Sequence, residues 1–317
     1  MMLHRRLVLF LILAQVLPWS WGWSAETEMR VLIWNVERGA NHFDRGPEKA
    51  LAVIKESQAT LVLMQESYDI DGDRPNLGAW IATQLDWKSY QGGSPHLCIL
   101  TKHPILETFT HEPWHGVGAR IRTPLGEVLA WSCWLDYRAY LPYYLAKHPE
   151  APIEDLLDRD RKHSGRQKQV LALIERLRAL GHLDGDLPLL VGGDWNTPSH
   201  LDYVESTKQM HHGRVIPIPT TIALEKTGFK DTFRVVHPDP LKKPGITWSP
   251  LARRDKETGK PSPLDRIDHL YLKGEHFQPT EAITFPLVLE EESIPKVQRR
   301  FPSDHSAVLV TLNPLEK

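Results

Sequence analysis

The sequence predicts an α/β fold in which β-sheets pack face to face and helices lie outside them. Three observations predict it. Short apolar runs recur along the chain, bounded by Gly, Pro or Asp and often rich in β-branched residues, as buried strands are. Two stretches carry helical periodicity instead, and the order is strands with helices first, then strands with long loops. No internal repeat and no interior linker divides the chain, so residues 26–317 are expected to form a single catalytic domain. Composition agrees: 317 residues, 41% hydrophobic and 25% charged, can bury a sizeable core, which excludes a disordered tail, a collagen-like rod and a polytopic membrane protein.

Residues 1–25 have the form of an export signal peptide: a basic start (His4, Arg5, Arg6), an apolar run from Leu7 to Leu17, then Pro18 and small residues among tryptophans. The 11-residue run rises about 16 Å as a helix, short of the roughly 20 residues that a hydrocarbon core needs. Cleavage is therefore expected over retention as an anchor extended by Trp19, Trp21 and Trp23. The mature protein is expected to be periplasmic or secreted, with no membrane span.

Strands are expected at 31–34, 61–64, 97–100, 128–135, 187–191, 267–272 and 307–312. Helices are expected at 47–56, which begins with proline at a first-turn position, and at 164–180. The latter opens with Ser164 and Gln167 in capping-box spacing and carries Val170, Leu171, Ile174 and Leu177 as an apolar stripe. Two long connections, 137–163 and 237–263, are expected to carry function or shape a pocket. Proline is the one compositional excess, at 25 of 317 residues or about 8% against a usual value near 5%. Pro217, Pro219, Pro238, Pro240, Pro244, Pro250, Pro261 and Pro263 gather between 217 and 263, in loops expected to shape a cleft. Cys98 and Cys133 lie in apolar, strand-like runs; they can pair if those strands are neighbours, but free buried thiols are the expected state.

Net charge is −2, and without residues 1–25 there are 36 basic against 40 acidic residues. No concentrated basic face is evident, so tight non-specific nucleic-acid binding is disfavoured.

The informative feature is where acids and amides fall. Asn35 and Glu37 follow VLIW, Glu66 follows LVLMQ, and Asp194 and Asn196 follow LPLLVGG. Asp268 interrupts RIDHLYL, and Asp304 with His305 precedes SAVLVTL. A charge beside a buried strand must pair, bind a cation or line a cleft. Each residue alone also has a structural explanation: Asp194 and Asn196 as turn formers, Asn35 closing a strand, Glu66 as a cap, His305 as a satisfied core histidine.

Together, WNVE at 34–37, QE at 65–66, GDWN at 193–196, RIDH at 266–269 and SDH at 303–305 resemble the endonuclease/exonuclease/phosphatase superfamily. Each motif is short, but all stand in order across about residues 30–312. The resemblance implies a four-layer sandwich of two mixed β-sheets flanked by helices. It implies Mg²⁺, or Mn²⁺, held mainly at Glu66 with the region of Asn35 and Glu37 and with Asp304. It also implies Asp194 orienting or deprotonating water, Asn196 holding phosphate and carboxylate in register, and His305, oriented by Asp268, facing the phosphoryl group. Hard oxygen ligands with no cysteine or histidine cluster suit Mg²⁺, Mn²⁺ or Ca²⁺ over Zn²⁺.

Arg166 and Gln169 resemble an RxxQ of many members, although a solvated helix face explains Arg166 equally well. One departure stands out: Trp134 occupies the position where many relatives have a histidine that contacts phosphate, and Tyr137, Arg138, Tyr140 or His163 can replace it. The aromatic residues at 134, 137, 140, 143 and 144 can shape a pocket for a base, a sugar or a lipid headgroup, or form a satellite core, which is the favoured expectation. The implied function is an exported, metal-dependent phosphoester hydrolase, a phosphodiesterase acting by in-line attack of water. Its substrate is expected to be a small-molecule, lipid-headgroup or nucleotide phosphoester, with no sign of duplex DNA binding. The alternatives are a non-catalytic binding protein on the same fold and a nuclease of single strands.

Overall fold

The computed structural model describes residues 26–68, 76–249, 254, 259, 262–285 and 301–315; the expected signal peptide lies outside them, as do Pro250 and Pro261. In chain order the elements are β1 (Met29–Asn35), α1 (Gly46–Ser57), β2 (Leu61–Gln65), α2 (Leu77–Leu85), β3 (Lys88–Tyr90), β4 (Leu97–Thr101), β5 (Ile105–His111), β6 (Gly116–Thr123) and β7 (Gly126–Trp134). There follow α3 (Leu141–Lys147), α4 (Ile153–His163), α5 (Arg166–Ala179), β8 (Leu189–Asp194), α6 (Pro219–Glu225), β9 (Lys230–Asp231), α7 (Thr232–Val236), β10 (Asp268–Lys273), β11 (Phe277–Phe285) and β12 (Ala307–Pro314).

The strands form two six-stranded mixed sheets, β11-β12-β1-β2-β4-β3 and β5-β6-β7-β8-β10-β9. Each has one parallel pair, β1 with β2 and β7 with β8, and the remaining pairs are antiparallel. Parallel neighbours require a crossover, which α1 supplies in the first sheet and the α3–α5 segment in the second.

Period-two alternation along the strands builds four layers. Val31, Ile33, Leu61, Leu63, Ile99, Ala119, Ala130, Leu190 and Val308 join one core between the sheets. Leu32, Trp34, Val62, Met64 and Leu100 turn outward onto Val53 and Ile54 of α1 and Ile81 of α2. Leu129, Trp131, Leu189 and Val191 turn outward on the other side, onto Val170, Leu173, Ile174 and Leu177 of α5. The helical stripe is thus shifted from the expected one: Leu173 is in it, and Leu171 is 48% exposed. The sandwich expected from the motif order is the observed fold.

Cys98 belongs to the outer layer of one sheet and Cys133 to that of the other; both are free and buried, and burial pushes both thiols up. No helix among the described residues is long and apolar enough to cross a membrane.

Two expectations fail for identifiable reasons. The 137–163 connection is not a structureless loop, because it contains α3 and α4. The sequence of α4 is mostly charged, but Glu154 and Asp155 in its first turn and Arg161, Lys162 and His163 in its last match the helix dipole, while Leu156 anchors it. Ser164 does not cap α5. It ends α4, its hydroxyl donating to Asp160 Oδ1 at 3.1 Å, and the N-cap of α5 is Gly165, whose N–H donates to Asp136 Oδ2 at 2.8 Å.

Gly192 in β8 faces the other sheet with no room for a side chain: an added Cβ would sit 2.9–3.0 Å from side-chain atoms of Leu63 and Ile33 in that sheet and of Leu270 in its own. Nearby, Ser132 Oγ donates to Met64 O across the sheets at 3.0 Å and accepts from Gln65 Nε2 at 2.9 Å. Gly192→Ala is expected to overpack this contact and cost about 1–3 kcal/mol. Urea denaturation checks this, with a lowered midpoint at unchanged slope as the expected result.

Candidate active site

Strand direction gathers the polar residues at one rim. In the parallel pairs Asn35 lies opposite Gln65 and Trp134 opposite Asp194, and in the antiparallel β8–β10 pair Asp194 lies opposite Asp268. Because β12 runs antiparallel to β1, Asp304 and His305 arrive just before it at the same end. Glu37, Glu66, Asp194, Asn196, Asp304 and His305 line a cleft of about 470 Å³. Asn35 and Asp268 lie beneath it, buried. A larger recess of about 970 Å³, lined by Gly126, Leu187, Gly274 and Pro314, lies at the opposite ends of the strands and lacks a comparable gathering of acids.

Asn35 is the centre of the arrangement. Its Nδ2 donates to Glu66 Oε1 at 3.1 Å and to Asp194 Oδ2 at 3.0 Å, while its Oδ1 accepts the Glu37 N–H at 3.0 Å. Glu66 Oε2 accepts the Arg38 N–H at 3.1 Å. Asp194 also accepts from Asn196, at Oδ1 from the backbone N–H (2.8 Å) and at Oδ2 from Nδ2 (3.2 Å); the same Nδ2 donates to Leu135 O at 2.8 Å. Glu37, Arg38, Glu66 and Asn196 all have φ between 47° and 56°, a left-handed backbone that non-glycine residues adopt at a cost. Four such residues around one carboxylate pair mark where the fold gives up local stability to aim side chains.

His305 Nδ1 bonds Asp268 Oδ2 at 2.9 Å, and its Nε2 stands 3.9 Å from Asp194 Oδ2, beyond hydrogen-bond reach. Burial opposes charge on this imidazole, but Asp268 and then Asp194 outweigh it and raise it to about 10. Asp194 is pushed up to about 7, first by burial, with His305 pulling it down and Asp268 pushing it up. Burial also raises Asp304, to about 6; His305 opposes the shift, and Glu37 and Glu66 add to it.

Glu37, Glu66 and Asp304 thus bring carboxylates within range of one another's fields. Glu37 Oε2 and Asp304 Oδ1 are buried and have no hydrogen-bond partner among the described residues. Unpartnered hard oxygens beside a third carboxylate suit Mg²⁺ or Mn²⁺. Asp194, Asp268 and His305 form a tighter group, with ligand atoms all within 4.8 Å. That group fits a cation less well, because His305 Nδ1 is engaged by Asp268 and a charged imidazole repels one. Asn35, expected among the metal-binding residues, turns its amide group to two carboxylates and its oxygen to the Glu37 N–H.

The other wall is aromatic. Trp134, Tyr137, Tyr140 and Tyr143 line the cleft, so the pocket reading holds for them, whereas Tyr144 packs on the satellite cluster of Leu141, Leu145 and Ile216. Tyr68, His96, Trp114 and Trp248 complete the wall, and Arg38 lies at its edge. None of these five was singled out in the sequence, because they come from five separate loops; only Arg38, directly after WNVE, and Tyr68, two residues after QE, stood near a signal. Of the candidates to replace the family histidine, Tyr137 and Tyr140 reach the cleft. Arg138 is tied to Asp136, and His163 is exposed on α4. Arg166 is no solvated residue: it is 1% exposed and donates to the carbonyls of Asp136, Arg138 and Ala139 and to Asp160.

A family model described as the endonuclease/exonuclease/phosphatase family matches residues 32–305. The chain belongs to this family. An uncharacterised Caenorhabditis elegans protein is 29% identical over 309 residues, which is 95% of this chain and 96% of that one. Among solved structures, TDP2 from D. rerio complexed with a single-strand DNA product is similar at TM-score 0.55, with 14% identity over 91% of this chain and 100% of that one. The human nocturnin catalytic domain with bound sulfate is similar at TM-score 0.54, with 13% identity over 91% and 95%. An endonuclease/exonuclease/phosphatase protein from Beutenbergia cavernae follows at TM-score 0.53, with 17% identity over 91% and 72%.

In this member of the family the rim loops are braced by a buried ionic network. Arg266 donates to both oxygens of Asp231 and to Asp202, and Arg234 donates to Asp202 and to the carbonyls of His237, Lys243 and Pro244. Two guanidinium groups balance two carboxylates, which a buried site requires. Arg266 Nη1 also meets His269 Nδ1 at 2.8 Å, so that nitrogen accepts; Nε2 lies 3.0 Å from Thr197 O, so it carries the proton. His269 is therefore neutral, and burial and then Arg266 lower it to about 4. A lowered histidine pKa means the unfolded chain takes up the proton first, so this group's contribution to stability is lost as pH falls from 6.5 toward 4. In an NMR titration the His269 Cε1–H signal should keep its neutral position from pH 8 down to about 5. A midpoint above pH 6 would contradict the assignment.

Proposed function

We propose that this protein is a divalent-metal-dependent phosphoester hydrolase, a phosphodiesterase acting by in-line attack of water. The observation that carries the reading is the shared hydrogen bonding of Asn35 to Glu66 and Asp194, with the His305–Asp268 pair facing Asp194 across the same cleft. In this reading Glu66, Glu37 and Asp304 hold Mg²⁺ or Mn²⁺, and Asn35 orients Glu66. The bound ion supplies Lewis-acid polarisation of a phosphoryl oxygen.

Asp194, fixed by Asn35 and Asn196 and raised toward neutrality by burial, orients the attacking water and accepts its proton. His305, held charged by Asp268, turns Nε2 toward the phosphoryl group and donates a hydrogen bond to its developing negative charge. Arg38 and Tyr137, which line the cleft, supply the contact of the histidine that Trp134 replaces, whereas the Tyr140 hydroxyl is held by Asp265. Among the described residues the cleft offers Arg38 as the cation at its aromatic rim and no basic track, which favours a short phosphoester over a duplex. Export, and a periplasmic or extracellular place of action, rest on the character of residues 1–25.

Hydrolysis of bis(p-nitrophenyl) phosphate should require Mg²⁺ or Mn²⁺, disappear with EDTA and return when metal is restored. Glu66→Ala and His305→Ala should each lower kcat/KM by about 10²–10³-fold, with a native circular dichroism spectrum at the assay temperature; His305→Ala should also lower the thermal midpoint, because it leaves the buried Asp268 carboxylate unpaired. A wild type that is inert toward phosphodiesters, phosphomonoesters and nucleic acids while binding metal would overturn the enzyme reading and favour a binding protein.

A further inference from the structure

Five rings from four separate segments, Tyr68, His96, Trp114 and the Trp134–Tyr137 stretch at the end of β7, meet on one side of the phosphoester cleft. Tyr68, His96 and Trp114 form a triangle, with His96 5.4 Å from Tyr68 (planes at 30°) and 4.4 Å from Trp114 (34°), and Tyr68 5.9 Å from Trp114 edge-on; His96 also meets Trp134 edge-on at 4.9 Å, and Tyr137 extends the cluster 6.1 Å from Trp134. The rings pack against one another, several of them edge to face, which fills the space between them. A cage for a quaternary ammonium group instead turns several ring faces toward one open point. The free aromatic surface lies at the outside of the cluster, where Trp114 is 49% exposed and Tyr137 64%.

A large exposed indole on the turn between β5 and β6 contributes little to the core. Its place at the mouth of a cleft that also holds Asp194, Asp304 and His305 puts it within reach of a phosphoester's organic arm. His96 adds an independent sign. It is 1% exposed, lines the cleft, and neither ring nitrogen has a hydrogen-bond partner among the described residues, whereas buried polar groups are normally paired.

We infer that this wall is a specificity subsite that stacks a planar aromatic ring carried by the substrate's alcohol arm, with Trp114 as the principal platform and His96 as its polar edge. The shared chemistry is a flat ring on the alcohol arm of the ester, either an aryl group or a nucleobase carried through its sugar. Stacking on exposed indole and phenol rings tolerates any such ring, because every one has a π-face. The inference deepens the hydrolase reading and rests on it.

Isothermal titration calorimetry of the Mn²⁺-loaded full chain with methyl phosphate, benzyl phosphate, thymidine 5′-phosphate and phosphocholine tests it without requiring turnover. Benzyl phosphate or thymidine 5′-phosphate should bind at least about tenfold tighter than methyl phosphate, and phosphocholine no tighter than methyl phosphate. An advantage of thymidine over benzyl identifies a nucleoside arm, and the reverse an aryl ester. In Trp114→Ala the advantage should fall below about threefold, and Trp114→Phe should restore most of it, a pattern that a merely structural role would not give. Exposure of Trp114 makes loss of folding an unexpected outcome, and Tyr137→Ala serves as a second variant. Equal binding of ring and methyl esters, or phosphocholine as the tightest ligand, overturns the inference while the phosphoester site stands. Failure of all four to bind overturns both.

Discussion

The side chain of Asn35 is the constraint on which the site depends. Its two N–H bonds go to carboxylates carried by different sheets, Glu66 after β2 and Asp194 at the end of β8. Two buried carboxylates brought together repel and resist desolvation, and a neutral donor with two hydrogens offsets both costs without adding charge. Aspartate in its place would add a third negative group and remove both donors. The two sheets can therefore close at this rim only while an amide stands between them, and the roles of Glu66 and Asp194 separate on its two sides.

Around that point polar groups are organised in three tiers. The Ser132 and Gln65 bridge fixes the inter-sheet distance just below the rim. Arg166 gathers the carbonyls of 136, 138 and 139, so the aromatic loop after β7 has one position relative to Asp194, whose backbone C=O in turn accepts the Leu135 N–H. Arg266 and Arg234 do the same for the segments flanking Trp248 and Asp268, and Tyr140 and Tyr203 each donate to Asp265 at 2.8 Å. Buried arginines thus serve the loops, while the strands rely on apolar packing.

What was legible in the sequence follows from this division. Continuous apolar runs that stop at a polar residue, such as VLIWN and LPLLVGGD, announce both their burial and the polar residue at their end, so the rim acids and their order were readable. The loops were not. Arg166 looked like a solvated helix residue because its partners are backbone carbonyls, which leave no trace in side-chain identity. Ser164 had the spacing of a cap but ends the preceding helix, and the helix α4 was hidden by its charge. Of the aromatic wall, the 134–143 stretch was readable as a candidate pocket, but Tyr68, His96, Trp114 and Trp248 were not, because they come from distant segments that meet only through tertiary structure.

In the proposed reading Asn35 divides the rim into a cation side at Glu37, Glu66 and Asp304 and a proton-transfer side at Asp194, Asp268 and His305. Anomalous diffraction from crystals soaked in Mn²⁺ distinguishes the two sides. An anomalous peak is expected within ligand distance of Glu66 and Asp304, about 2.0–2.4 Å from carboxylate oxygens, with His305 still bonded to Asp268. A peak among Asp194, Asp268 and His305 with none at Glu66 would contradict it.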